Sequence, residues 1–321
     1  MKELTVRFED LDHNHPLMDA ESFFVKVLSD KYRVKVLYEG DEEPDVLIYS
    51  WMGANNTKWR NSIRIYYTME MDYPDFNICD YAVGLANIGL PERFMHFPHY
   101  VFYGNLLHKY ERENNKLKSE EALNRGFCST VVSNLYRNKI YHEMYTLLSE
   151  YKPIASGGKF NNNVGGSVTD KIEFIKNYKF NLAFENMNVD GYVTEKIMEA
   201  FVAQTIPIYW GSKQVKKEFG EGGYIDISDF STLDNAINYI KKVDTDDELY
   251  MQILSHRAEL QYSYDEWFRL LSDFLYNAIE YGKRTEPIMM NARIWGEKYV
   301  FYRLRESIPG RLYRWYKRRF S

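Results

Sequence analysis

Cysteine is scarce: the 321 residues hold two, Cys79 and Cys128. Two thiols build no disulfide framework, and without a C-x-x-C pair or a Cys/His cluster the chain carries no structural zinc motif, so a reducing compartment is expected. No stretch approaches 18 consecutive apolar residues, the length at which a membrane-crossing helix becomes a candidate. The opening MKELTVRFEDLDHN alternates like a first strand and turn and lacks the basic-then-apolar run of a signal peptide, which points to the cytoplasm. With 45% hydrophobic and 27% charged residues the composition excludes wholesale disorder, collagen-like repeats and coiled coil. What the chain does have is length enough for two ordinary domains. It also has aromatic rings at 17% of all residues, a surplus that suits carbohydrate or nucleotide surfaces.

The net charge of -5 is unevenly spread. Residues 302–321 hold Arg303, Arg305, Arg311, Arg314, Lys317, Arg318 and Arg319 against Glu306 alone, so this tail is +6 and the remainder -11. As a helix after Pro309, it would align Leu312, Tyr313, Tyr316 and Phe320 on one stripe flanked by arginines, the pattern of a helix lying on an anionic membrane surface. A solvated terminus is the plain alternative. The acidic body argues against nucleic acid as a partner.

Strand-like and helix-like segments alternate twice along the chain, the rhythm of parallel sheets covered by helices. ELTVRF, YRVKVLY, PDVLIYS and IRIYYTM supply the first set; FCSTVVS, KFNLAF, IPIYW and YIDIS, with helices between, supply the second. The charged stretch 109–125 separates them. The expected organisation is therefore α/β, with domains at 1–115 and 116–262 and a C-terminal helix plus basic tail at 263–321.

Chemistry concentrates in KFNLAFENMNVDGYVTEKIMEAFVAQTIPIYWGS, residues 179–212, a single βαβ unit. Ligands of open α/β sheets sit outside the carboxyl ends of the strands, a rim that collects Glu185, Asn186, Trp210, Gly211 and Ser212. The following helix begins at Thr194, and its unpaired N–H groups with Lys196 would favour a phosphate. On spacing alone, Thr194 as a cap and Glu195–Lys196 as helix surface fit equally well.

FNLAFEN, GYVTEKI and TIPIYWGS together resemble the signature of the α1,3-fucosyltransferases, family 10 of the glycosyltransferases. The likeness runs from about Gly126 to Phe230 and is traceable more weakly over 1–100. It implies a GT-B architecture of two Rossmann-like domains facing a cleft, GDP-fucose as donor substrate and no further cofactor. It assigns Asn186 and Tyr192 to the nucleotide, Glu195 to the fucose hydroxyls and Lys196 to the pyrophosphate. Within VVSNLYRNKIYHEM it gives Arg137 a pyrophosphate role, and within IRIYYTMEMDYPDFNICDYAVG it makes Glu70 the general base. Glu70 also ends an apolar strand at a sheet rim, where partial burial would lift its pKa towards working pH.

The reaction so implied is an inverting displacement. Glu70 takes the proton of the attacking acceptor hydroxyl, Glu195 faces the positive charge on the sugar, and Lys196, Arg137 and the helix terminus face the departing diphosphate in place of a metal. Asp10-Leu11-Asp12 with His13 and His15 is a weak D-x-D candidate for a hard divalent ion; the loop is better read as facing the acceptor, an N-acetyllactosamine-type glycan. SGGKFNNNVGG lacks the P-loop spacing; a tight turn at Gly157 and Gly158 near the donor site and a plain flexible loop fit it equally well. His96, His99, His108, His142 and His256 show no catalytic spacing and are expected to be surface or core histidines.

Overall fold

Residues 1–11, 19–53, 55–113, 117–133, 138–284 and 309 are described in the structure, a computed structural model. Among them the chain forms two compact units. The first comprises Met1–Gly84, Ile88–Phe97 and the chain from Phe268 on; the second comprises Leu85–Asn87 and Pro98–Trp267.

In the first unit the strands are β1 (Lys2–Glu9), β2 (Tyr32–Val36), β3 (Val46–Tyr49), β4 (Ile63–Tyr67), β5 (Tyr81–Gly84) and β6 (Phe94–His96). They pair in the order β2-β1-β3-β4-β5-β6, all parallel. The sequence pattern explains which strands are central. VLIY of β3 is buried at every position, as a strand covered on both faces must be, whereas YRVKV of β2 alternates and lies at the edge. Helix α1 (Ala20–Ser29) is capped by Asp19, whose carboxylate accepts from Ser22 N at 3.0 Å, and buries Phe24, Val27 and Leu28 at helical spacing. Arg64 in β4 donates to Asp80 from Nε at 3.1 Å and from Nη2 at 2.9 Å, a buried bidentate pair joining β4 to the approach of β5.

The second unit opens with short helices α2 (His99–Phe102), α3 (Leu106–Arg112) and α4 (Ser119–Leu123). Its sheet runs β11-β10-β9-β7-β8, all parallel. These strands are β7 (Gly126–Thr130), β8 (Ile154–Ser156), β9 (Tyr178–Phe184), β10 (Ile206–Trp210) and β11 (Ile225–Asp226). Helices α5 (Lys139–Tyr151), α6 (Lys171–Ile175), α7 (Glu195–Val202), α8 (Gln214–Phe219), α9 (Leu233–Thr245) and α10 (Asp247–Ser255) complete it. The core packs Phe180, Leu182 and Phe184 of β9 with Ile206 and Ile208 of β10 and with Tyr141, Met144 and Leu148 of α5. Tyr178–Phe184 and Ile206–Trp210 fall where the apolar runs predict strands. YIDIS pairs over only two residues, because Asp226 turns back to accept from Ser228 N at 2.9 Å.

The units divide the chain differently from the ranges suggested by composition. The charged stretch from 109 does not separate them. Tyr110 of α3 packs on Phe201 of α7 at 5.8 Å, and its hydroxyl accepts from Ala258 N at 2.8 Å, which ties α3 to the second unit. Helix α11 (Tyr264–Tyr281) begins in the second unit and continues in the first. There Tyr276 donates to Val27 O at 2.7 Å and Phe268 meets Phe23 edge-on. Among the described residues no helix is long and apolar enough to cross a membrane. The basic tail 302–321, apart from Pro309, lies outside the described residues.

Candidate active site

Five apolar or amide side chains in a row, FNLAF, fill the interior from β9, so the next residue must leave the sheet at its carboxyl edge. That residue is Glu185, and its carboxylate is fully buried. Three donations to the carboxylate, and a fourth to the residue's own carbonyl, compensate the burial. Thr194 donates to Oε1 from its backbone N–H and to Oε2 from its hydroxyl, each at 2.7 Å. Lys196 Nζ reaches Oε2 at 3.1 Å. The fourth is to the backbone: Asn138, which caps α5 through Tyr141 N, sends Nδ2 to Glu185 O at 3.0 Å. Gly211 is required opposite, since a Cβ there would stand 2.6 Å from Glu185 Cγ. Glu185 thus fixes the start of α7 to the ends of β9 and β10.

Residues 186–194 form the loop between. Gly191 sits at φ +86°, and a Cβ would run into the carbonyl of Leu85 and lie 2.7 Å from Asn87 N. Asn87 N donates to Asp190 O at 3.2 Å, and Gly191 N donates to Ser212 Oγ at 3.1 Å. Asn186 is exposed on this rim, whereas Tyr192 is 3% exposed, so its ring is part of the loop's packing.

At the first turn of α7 the charges interlock. Lys196 Nζ donates to Glu185 Oε2 and to Thr194 Oγ1 at 2.9 Å, and lies 3.6 Å from Glu195 Oε1. His99 Nδ1, from α2, is 2.9 Å from Glu195 Oε2. One turn on, Lys171 of α6 pairs with Glu199 at 3.1 Å. Burial drives the Glu185 carboxyl up, against the pull of Lys196 and the Thr194 donors. Burial acts the same way on Glu195, but Lys196 and His99 outweigh it and hold that carboxyl well below the usual carboxylate range. Glu199 is pushed up to about 7 by burial that Lys171 only partly offsets. Lys196 loses to desolvation and gains more from Glu185 and Glu195, so its ammonium is held charged.

Three expectations change here. Thr194 makes no side-chain cap of α7; its hydroxyl serves Glu185 instead. Lys196 is not a cation standing apart, because two carboxylates share its charge, and two of its three ammonium protons go to Glu185 and Thr194. His99, taken as a plain histidine, enters the cluster, as does Lys171. No motif marks either one, since the fold alone brings them to α7. Glu185 was visible at the strand end, but nothing in its spacing marked it as the keystone.

Glu70 follows β4 of the first unit after Thr68 and Met69. Its N–H donates to Thr68 Oγ1 at 3.1 Å, and its side chain is exposed, so the partial burial expected of a base is not present. Asp10, at φ +57°, spends its carboxylate within the protein. Oδ2 accepts from Asn55 N at 2.8 Å and Asn56 N at 3.3 Å, and Oδ1 accepts from Asn55 Nδ2 at 3.0 Å. That is an anchor for the 3-10 turn Asn55–Lys58 rather than a ligand set. Burial pushes the Asp10 carboxyl up to about 6 against those donors. Among the described residues no group of three His, Cys, Asp or Glu could hold a metal ion. Arg137, Asp12, His13 and His15 lie outside the described residues. Gly157 and Gly158 do form a tight passage: Gly157 N donates to Thr130 O at 2.9 Å, and a Cβ on Gly158 would strike the backbone of Val132.

Two parallel α/β units, the second with a charged helix start at the carboxyl rim of its sheet, are the Rossmann-like domains of a GT-B architecture. Comparison with known proteins narrows the class. The family model described as glycosyltransferase family 10 (fucosyltransferase) C-term matches residues 123–274, and the α-(1,3)-fucosyltransferase FucT N-terminal domain matches residues 6–103. The chain belongs to glycosyltransferase family 10. It is 34% identical over 262 residues to the α-(1,3)-fucosyltransferase FucT of Helicobacter pylori, covering 71% of this chain and 54% of that protein. The chain therefore spans about half the length of that relative. It is 31% identical over 133 residues to the 4-galactosyl-N-acetylglucosaminide 3-α-L-fucosyltransferase 9 of Bos taurus, covering 40% of this chain and 36% of that one. A crystal structure of an α1,3-fucosyltransferase with GDP-fucose aligns with TM-score 0.71 at 28% identity, over 88% of this chain and 94% of that chain.

Proposed function

We propose that the protein is an inverting α1,3-fucosyltransferase that moves L-fucose from GDP-fucose to the GlcNAc of N-acetyllactosamine-type glycans in bacterial surface-glycan synthesis. The observation that carries this reading is the buried Glu185–Thr194–Lys196 network at the start of α7, with Glu195 beside it. A carboxylate locked to a threonine and a lysine holds the ammonium at a helix N-terminus, where backbone N–H groups and the dipole also favour a diphosphate. As the C–O bond to GDP breaks, negative charge grows on the diphosphate. Lys196 offers its remaining proton to it, and Arg137 adds a second cation. Asn186 flanks the nucleotide, Tyr192 packs beneath the loop on the nucleotide side, and the ionised Glu195 accepts from fucose hydroxyls as the ring turns positive. Glu70 takes the proton from the attacking hydroxyl. No group beyond the donor is needed for this chemistry. The tail 302–321 holds the enzyme to the inner membrane face, where Trp and Tyr with arginine headgroup contacts favour an anionic leaflet.

Mass spectrometry of products from a panel of GDP- and UDP-sugars with an N-acetyllactosamine acceptor tests the donor. GDP-fucose is expected to give the single addition; turnover of a UDP-sugar without use of GDP-fucose would overturn the reading. The assignment of the base has its own check. Glu70→Gln is expected to lower transfer on the order of 10²-fold or more while GDP still binds, and unchanged transfer would remove Glu70 from that role.

A further inference from the structure

We propose that His99 is a positioning residue of the donor site, fixing one oxygen of the Glu195 carboxylate so that the other faces the sugar. The inference deepens the fucosyl-transfer reading and rests on it.

The two oxygens of Glu195 are in different situations. Oε2 lies 2.9 Å from His99 Nδ1. Oε1 lies 3.6 Å from Lys196 Nζ, beyond a good hydrogen bond. Nδ1 thus faces Oε2 at ion-pair distance without the alignment of a hydrogen bond, and Oε1 is the oxygen with acceptor capacity to spare for a hydroxyl. The side chains of His99 and Glu195 are only 9% and 13% exposed, so solvent does little to loosen the contact.

The imidazole is itself held. His99 begins α2 directly after Pro98, where the chain enters the second unit. The ring of Tyr103 lies against it at 4.9 Å with a tilt of 34°, and Lys171 stands over the far ring at 5.9 Å. A flexible glutamate is thus gripped by a short rigid side chain, which is the arrangement that keeps a reacting group within the tolerance chemistry requires. Glu195 meets charge from several elements: Lys196 on its own helix, His99 from α2, Lys171 from α6, Glu185 from the end of β9, and Glu199 one turn along. Of these, His99 stands nearest to Oε2, at 2.9 Å.

The partner that distinguishes this role is the sugar, because GDP lacks the hydroxyls Glu195 would hold. The experiment measures GDP affinity by calorimetry and kcat/KM for GDP-fucose in the wild type, His99→Phe and His99→Asn. Phenylalanine keeps the stack on Tyr103 without the donor; asparagine restores a donor near the place of Nδ1. The expected result is a loss of about ten- to a hundredfold in kcat/KM for His99→Phe, GDP affinity within about twofold of wild type, and partial recovery in His99→Asn. Equal kcat/KM in His99→Phe would overturn the inference and leave fucosyl transfer standing. A parallel loss of GDP affinity would also overturn it, since the residue would then only support the fold. A wild type that binds GDP but turns over no GDP-fucose would overturn the fucosyl-transfer reading, and the inference with it.

Discussion

Glu185 shows how a buried charge becomes useful when both of its oxygens have donors. Removing its charge while leaving Lys196 in place reverses that balance: Glu185→Ala leaves an ammonium beside Glu195 alone and an N–H of Thr194 without its acceptor. Breaking one side of such a pair costs about 3–5 kcal/mol. Urea unfolding of Glu185→Ala is expected to show a loss of that order, with donor turnover lost as well; wild-type stability would mean that the network is not what holds α7. Asp10 makes the opposite case. Burial raises its folded pKa to about 6, above the ordinary carboxylate range, so the folded protein binds the proton more tightly than the unfolded chain. Stability from this group is therefore present at low pH and falls as pH rises from about 4 to about 6. Asp10→Asn keeps an acceptor for Asn55 N and suits φ +57°, so its urea midpoint is expected to be flatter than wild type across that window. An unchanged slope would place the burial cost elsewhere.

The unit β9–loop–α7–β10 is the element on which the site depends, and it was largely legible in the sequence because its parts are neighbours in the chain. Two five-to-seven-residue apolar runs separated by a loop and an amphipathic helix have the length a parallel crossover needs, and that topology sends Glu185, Asn186 and Lys196 to one rim. What could not be read was which groups brace the rim from afar. His99, Lys171 and Asn138 come from three other elements, and no periodicity in α2, α6 or the cap of α5 announces a partner on α7. Thr194 misled for a related reason: threonine before a helix is usually a cap, but a buried carboxylate is the stronger acceptor and takes the hydroxyl. The loop's glycine has an equally physical reason. Gly191→Ala combines a left-handed backbone with a clash at the Leu85 carbonyl, so it is expected to destabilise the protein by about 1–3 kcal/mol and to shift residues 190–192. A thermal melt matching wild type would contradict this.

On the scale of the whole molecule, two parallel sheets and eight of the eleven strands were accessible from alternation, but the short strands β5, β6 and β8, the strand order and the division of the chain were not. Local charge suggested a break near residue 115. The aromatic contacts of α3, and of α11 with Phe23, Tyr32 and Val27, assign those helices instead by what they cover. The uneven charge, +6 in the tail against -11 elsewhere, leads to a separate expectation: deletion of 302–321 releases the protein from vesicles containing phosphatidylserine, and equal retention would defeat the membrane proposal. The central claim is smaller in extent and more exacting. It holds that the ammonium of Lys196, kept charged and in place by Glu185, receives the diphosphate of the donor. Calorimetric titration of GDP into the wild type and Lys196→Ala measures this directly. The account predicts a loss of affinity of about ten- to a hundredfold, as expected for one charge-assisted bond to phosphate worth roughly 1.5–3 kcal/mol; GDP bound as tightly by Lys196→Ala as by the wild type would contradict it.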